Sequence, residues 1–149
     1  MILQFFVPIF TGMVLTFILV PLSIKIATQY QLIDIPNSAP HKTHENKVSK
    51  AGGIAIFSAV LCITMLSGKL AIPEVLAIVL ASSIIFIFGI WDDAKGLSAG
   101  WKLTGQILAA MVLIWQGIQI RMFVGFPLVN IAVTFLWILG VTNAFNLVD

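Results

Sequence analysis

From residue 2 to residue 27 the chain runs through an apolar stretch whose one charge, Lys25, lies near its far end. That run is too long for a signal-peptide core. It matches the length of about 20 residues that a helix needs to cross a bilayer. Four further apolar runs follow, at about 53–66, 73–91, 101–117 and 128–149. In lipid every backbone polar group must be satisfied within the segment, so such runs fold as helices. Hydrophobic residues make up 60% of the chain and charged residues 9%, where a soluble domain carries roughly 25% charged. The expectation is an all-α integral membrane protein with about five transmembrane helices. Pro8 and Pro21 are expected to bend the first. The second opens at Gly52-Gly53 and is short for a crossing helix. Residues 67–71 read as a tight turn, and Pro73 suits the first turn of the third helix. Ser98 is a candidate N-cap for the fourth. Residues 119–127 read as a second turn. No internal repeat or low-complexity run is visible, so residues 1–149 are expected to form one transmembrane domain. The single cysteine, Cys62, excludes an intrachain disulfide.

Charge placement orients the spans. The loops after the first and third runs, at about 29–51 and 92–100 with their flanks, hold Lys25, Lys42, Lys47, Lys50, Lys95 and Lys102. The opposite side holds Lys69 and Arg121. Basic residues mark cytoplasmic loops. The N-terminus is therefore expected outside, with both lysine-bearing loops in the cytoplasm. The acids divide the same way: Asp34, Glu45, Asp92, Asp93 and Asp149 lie on the cytoplasmic side, and Glu74 on the other.

Three groups of residues carry chemistry. Gly89-Ile90-Trp91-Asp92-Asp93 ends an apolar run on two adjacent carboxylates. Ionisable groups at membrane depth are functional-site candidates, and two neighbouring acids repel unless a cation sits nearby. The pair suggests a divalent metal and phosphate chemistry. Asn143, Asn146 and Asp149 recur at i, i+3 and i+6, a stripe on one side of a helix. Their oxygens suit Mg²⁺, which is held by one or two carboxylates plus phosphates and water. Interhelical hydrogen bonding is the competing reading, above all for Asn143. The first cytoplasmic loop holds His41, Lys42 and His44, which suit phosphate oxygens or simply anionic headgroups. Zinc is disfavoured there, because no cysteine and no third histidine is present. Lys102 can reach a phosphate as a point charge or snorkel to the interface, and Gln106 shares its helix face. Gly52-Gly53 reads better as helix packing than as phosphate approach. Trp91 and Trp101 read as interface anchors. The central expectation is that Asp92 and Asp149 converge around one magnesium-sized gap at the cytosolic surface. A transporter or ion pathway is the rival class, but it would spread polar groups through the midplane, whereas here they crowd one end.

The ordered segments Leu32-Ile-Asp34-Ile-Pro36, His41-Lys42-Thr-His44, Ala51-Gly52-Gly53-Ile-Ala-Ile-Phe57, Gly89-Ile-Trp-Asp92-Asp93, Gly96-Leu-Ser-Ala-Gly-Trp-Lys102-Leu-Thr-Gly-Gln106 and Thr142-Asn143-Ala-Phe-Asn146-Leu-Val-Asp149 together resemble the polyprenyl-phosphate N-acetylhexosamine-1-phosphate transferases. That family includes enzymes that initiate O-antigen lipopolysaccharide and enterobacterial common antigen, and the translocase that makes lipid I for peptidoglycan. The last segment looks closer to the GlcNAc-type branch. The resemblance implies transfer of a sugar 1-phosphate from a UDP-N-acetylhexosamine to undecaprenyl phosphate, with release of UMP. It implies Mg²⁺, with Mn²⁺ as an alternative ion, and a multi-pass protein of the bacterial inner membrane whose site faces the cytoplasm. It assigns Asp92 and Asp93 to catalysis and metal, Asn146 and Asp149 to metal, and Lys42, His44, Lys102, Asn143 and Asn146 to substrate. Undecaprenyl phosphate, the UDP-sugar and the bilayer are the implied partners; a homodimer is left open, and nothing points to nucleic acid. Members often carry Arg at the position of His41 and Pro at that of Ser49. The family fold has ten or eleven helices, so this chain is expected to be its first half, with a truncated, non-catalytic remnant as the alternative.

Overall fold

A computed structural model describes residues 2–30, 32–34, 48–49 and 52–148. The chain divides into two compact units, Met1–Gly68 and Lys69–Asp149.

The first unit holds α1 (Ile2–Gln29), a two-residue strand pair, β1 (Ile33–Asp34) and β2 (Val48–Ser49), and α2 (Gly52–Leu66). Pro8 and Pro21 lie inside α1. The helix ends where Tyr30 N–H donates to Ile26 O and Leu32 N–H to Ala27 O, at 3.0 and 2.7 Å. α1 packs on α2. The buried positions are small, Ser23 and Ala27 on α1 and Ala55 and Ala59 on α2, which lets helix backbones approach without large side chains between them. The strands are antiparallel, with Ile33 opposite Ser49 and Asp34 opposite Val48. This short hairpin is a departure from the all-helical expectation. It brackets the polar segment that hydropathy alone reads as a loop.

The second unit holds a 3₁₀ turn (Lys69–Ala71), α3 (Pro73–Lys95), α4 (Ala99–Trp115) and α5 (Pro127–Val148). α4 is central, packing on α3 and on α5. Its buried face is Gly105, Gln106, Ala109 and Ala110. A side-chain carbon on Gly105 would lie 2.6 Å from Cγ of Phe88 on α3, so the glycine sets how closely these helices approach. Pro73 opens α3, as its missing N–H permits.

Two helix boundaries near the cavity differ from those read in the sequence. α3 runs four residues past Trp91, so Asp92 and Asp93 stand on its last helical turn and not in a 92–100 loop. The helix continues because its end is well satisfied: Gly96 takes φ 66° and returns its N–H to Asp92 O at 2.7 Å. α4 begins at Ala99, two residues early. Ser98 occupies the capping position, but its side chain makes no capping hydrogen bond; its carbonyl accepts from Lys102 N–H at 3.2 Å.

Among the described residues three stretches are long and apolar enough to cross a membrane: Phe6–Gln29, Pro73–Lys95 and Pro127–Asn146. α2 and α4 are apolar but have 15 and 17 residues, about 22 and 26 Å at about 1.5 Å per residue. Both fall short of the roughly 30 Å hydrocarbon core. The chain is a helical membrane protein whose described residues hold three full-length candidate spans and two shorter apolar helices.

Candidate active site

The C-terminal end of α3, the first turns of α4 and the last turns of α5 surround a cavity of about 200 Å³. Ile85, Phe88, Gly89, Asp92, Lys102, Gln106, Thr142 and Asn146 line it. The positions follow from helix geometry. Ile85, Phe88, Gly89 and Asp92 are spaced at three and four residues, as are Lys102 and Gln106, so each set shares one face.

Asp92 is held from two directions. Its Oδ1 accepts from Leu97 N–H at 2.7 Å, and its Oδ2 meets Lys102 Nζ at 2.7 Å. Both side chains are partly exposed, 23% for Asp92 and 33% for Lys102. The first bond ties the carboxylate to the backbone where α3 turns into α4. The second sets an ammonium at the cavity wall. The pair therefore presents fixed charges of both signs to one small volume.

Beside that ion pair, buried Gln106 and exposed Asn143 form a reciprocal amide pair. Gln106 Nε2 donates to Asn143 Oδ1 at 3.1 Å, and Asn143 Nδ2 donates to Gln106 Oε1 at 3.0 Å. Asn143 Nδ2 also donates to Leu139 O at 2.9 Å. Gln106 is buried, so this exchange satisfies polar groups that apolar surroundings would otherwise strand. It also fixes the rotation of α5 against α4, and with it the placement of Thr142 and Asn146. On the other flank the rings of Phe88 and Trp91, and of Trp91 and Trp101, lie 5.9 Å apart in tilted pairs. These contacts brace the α3–α4 turn.

The structure thus brings Asp92, Lys102 and Asn146 to one cavity. Asn143 is engaged by Gln106 next to them. Asp93 is exposed on the same turn as Asp92, about 100° further round the helix, and is not among the residues that line the cavity. Lys42, His44 and Asp149 lie outside the described residues, so the expected meeting of Asp92 with Asp149 does too. Gln106 and Thr142 belong to the site although neither was singled out as a ligand. The signal available for Gln106 was its four-residue spacing from Lys102 within an apolar helix.

Among the described residues no three His, Cys, Asp or Glu side chains cluster. The donors that do meet, a carboxylate and a carboxamide, are both hard oxygen ligands. They fit Mg²⁺ in kind, since that ion takes one or two protein carboxylates and completes its shell with phosphate and water.

A helical membrane chain with a carboxylate, an ammonium and an amide gathered at one end of its helices has the parts of a membrane-embedded phosphate site. Residues 75–149, which include this whole cavity, match the model of glycosyl transferase family 4, and the chain belongs to that family. It is 30% identical over 161 residues to the probable undecaprenyl-phosphate N-acetylglucosaminyl 1-phosphate transferase of Bacillus subtilis (strain 168), across 99% of this chain and 42% of that protein. It is 29% identical over 138 residues to the undecaprenyl-phosphate alpha-N-acetylglucosaminyl 1-phosphate transferase of Thermotoga maritima, across 91% of this chain and 43% of that protein. The chain therefore spans less than half the length of these curated relatives. No solved structure gives a significant match.

Proposed function

We propose that this chain supplies part of the site at which a sugar 1-phosphate passes from a UDP-sugar to undecaprenyl phosphate, releasing UMP. The names of the relatives point to GlcNAc-1-phosphate as the transferred group. The product would be the lipid-linked first sugar of a cell-envelope polysaccharide, made at the inner membrane. The observation that carries the reading is Lys102 Nζ held 2.7 Å from Asp92 Oδ2 at the wall of a cavity that Asn146 also lines. The lysine-rich loops support a cytoplasmic orientation for that end, the side on which a nucleotide sugar is available.

The chemistry asks little of a general base. A phosphate monoester has its second pKa near 6, so the lipid phosphate is already largely dianionic at neutral pH. One of its oxygens attacks the β-phosphorus of the UDP-sugar. The bond from that phosphorus to the oxygen bridging the α-phosphate breaks, and UMP leaves with the bonding pair. The difficulty is bringing two anions together, so catalysis rests on positioning and charge stabilisation. Lys102 offers an ammonium to a phosphoryl oxygen, and Asp92 holds that ammonium in place. Asn146 offers an amide to the nucleotide-sugar. Asp92 and Asn146, which line the cavity, are the residues that would hold Mg²⁺, which when bound would neutralise charge on the diphosphate. Gln106 and Asn143 position α5. Polar side chains at the other end of the same unit, Asn130 and Thr134, are used on the local backbone, which speaks against a polar path through the membrane.

The test is UMP release from UDP-GlcNAc in membranes carrying the protein, with and without undecaprenyl phosphate. Lipid-dependent release in the wild type and its collapse in Asp92→Asn is the expected result. Near-normal release in Asp92→Asn would refute the role given to that carboxylate.

A further inference from the structure

The turn between α4 and α5 is apolar and exposed, yet its backbone is tied down from within. Residues 116–126 include Ile118, Ile120, Met122, Phe123, Val124 and Phe126. Val124 is 94% exposed, and Met122 and Phe126 are also largely exposed. Trp115 and Leu128 extend the same apolar surface onto both helices.

Two buried side chains of α5 satisfy the turn. Phe123 N–H donates to Asn130 Oδ1 at 2.9 Å, and Asn130 Nδ2 donates back to Phe123 O at 3.1 Å. Ile120 N–H donates to Thr134 Oγ1 at 2.9 Å, and that hydroxyl donates to Asn130 O at 2.6 Å. The turn's own backbone adds Gly117 N–H to Ile114 O, Ile118 N–H to Leu113 O and Phe126 N–H to Phe123 O. A turn bathed in water needs no such internal clip, because water would serve the same groups. Irregular backbone is tolerated at membrane depth only where those groups are otherwise satisfied.

The length of α4 points the same way. Its 17 residues span about 26 Å, several ångström less than the roughly 30 Å hydrocarbon layer. The turn continues the exposed apolar surface of α5 (Leu128, Leu136, Trp137), a candidate span, and its apolar side chains can cover the missing depth. Arg121 limits how deep it goes. Its guanidinium donates to Gly117 O at 3.3 Å, and a cation of this kind snorkels to headgroup phosphates.

We propose that the 116–126 turn is a membrane-submerged element of the non-cytoplasmic leaflet, seated at the boundary of headgroups and acyl chains. The Asn130–Thr134 clip makes that placement affordable in hydrogen bonds, and lipid acyl chains are what cover Met122, Val124 and Phe126.

The test places single cysteines in a Cys62→Ser background, in vesicles of phosphatidylethanolamine and phosphatidylglycerol. Glu74→Cys, in the first turn of α3, is the water-exposed reference. Val124→Cys is expected to react with a water-soluble maleimide about tenfold or more slowly than the reference, the factor that burial of a valine-sized side chain supplies. A fluorescent NBD label at position 124 is expected to emit blue-shifted light that nitroxides on lipid acyl chains quench. Labelling as fast as at position 74 overturns the proposal. So does protection without quenching, which would mean that protein covers the turn. Adding Asn130→Leu should return position 124 to rapid labelling at unchanged helix content by circular dichroism. Continued protection in that variant overturns the role of the clip.

Discussion

Gly105→Ala tests how tightly the site's framework is packed. The new methyl carbon would lie 2.6 Å from Phe88 Cγ and 2.9 Å from both Cδ atoms. These distances put it over the ring and not at a mobile tip. The ring cannot simply slide, because its centroid is 5.9 Å from that of Trp91, which in turn packs on Trp101. Overpacking of this kind costs about 1–3 kcal/mol. Alanine gains about 0.8–1.0 kcal/mol over glycine in a helix interior. The severity of the clash places the packing penalty in its upper range, so a net loss of about 1–2 kcal/mol is expected. The strain would also move Phe88, which lines the cavity one turn before Asp92. Thermal unfolding in detergent, followed by circular dichroism, should show a lower midpoint for Gly105→Ala. Partial recovery is expected in Gly105→Ala/Phe88→Leu. A midpoint equal to or above the wild type in Gly105→Ala would refute the claim that this glycine sets the α3–α4 approach.

The remaining predictions concern the site directly. Asn143→Leu should destabilise the protein by leaving the buried Gln106 amide unpaired, about 1–3 kcal/mol, and Gln106→Leu should cost less, because the exposed Asn143 amide can turn to water. The double variant should lose less than the sum, and additive losses in a double-mutant cycle would dissolve the pair. Lys102→Met should lower UMP release more than Lys102→Arg, which keeps a charge; equal activity in all three forms would remove Lys102 from the site. Chelation of divalent ions should abolish release and added Mg²⁺ should restore it, whereas activity that survives chelation would contradict the metal assignment.

The outlines of the helices were legible because Gly52-Gly53, Pro73 and the polar turns punctuate apolar runs. α2 ends where its hydropathy does, at Leu66. The end of α3 was not legible in the same way. Residues 92–95 are polar and read as loop, but a helix end needs satisfied carbonyls more than apolar side chains, and Gly96 together with the Asp92 carboxylate supplies the closure. Asp92 and Lys102 were each visible as candidates, being charges at the ends of apolar runs. Their ion pair was not, because it depends on the tight α3–α4 turn. The meeting of Gln106 with Asn143 joins positions 37 residues apart, and no local periodicity encodes it. Asn143 bonds Gln106 and Leu139 O, the interhelical hydrogen bonding that the competing reading had for it. The hairpin of β1 and β2 escaped notice because two-residue strands are too short for alternation to register.

The most direct test of the central claim is UMP released per undecaprenyl phosphate consumed, compared between wild type and Asp92→Asn at equal membrane expression. The account predicts one UMP per lipid phosphate in the wild type and near-background release in the variant. Wild-type turnover in Asp92→Asn, or UMP release that ignores undecaprenyl phosphate, would contradict it.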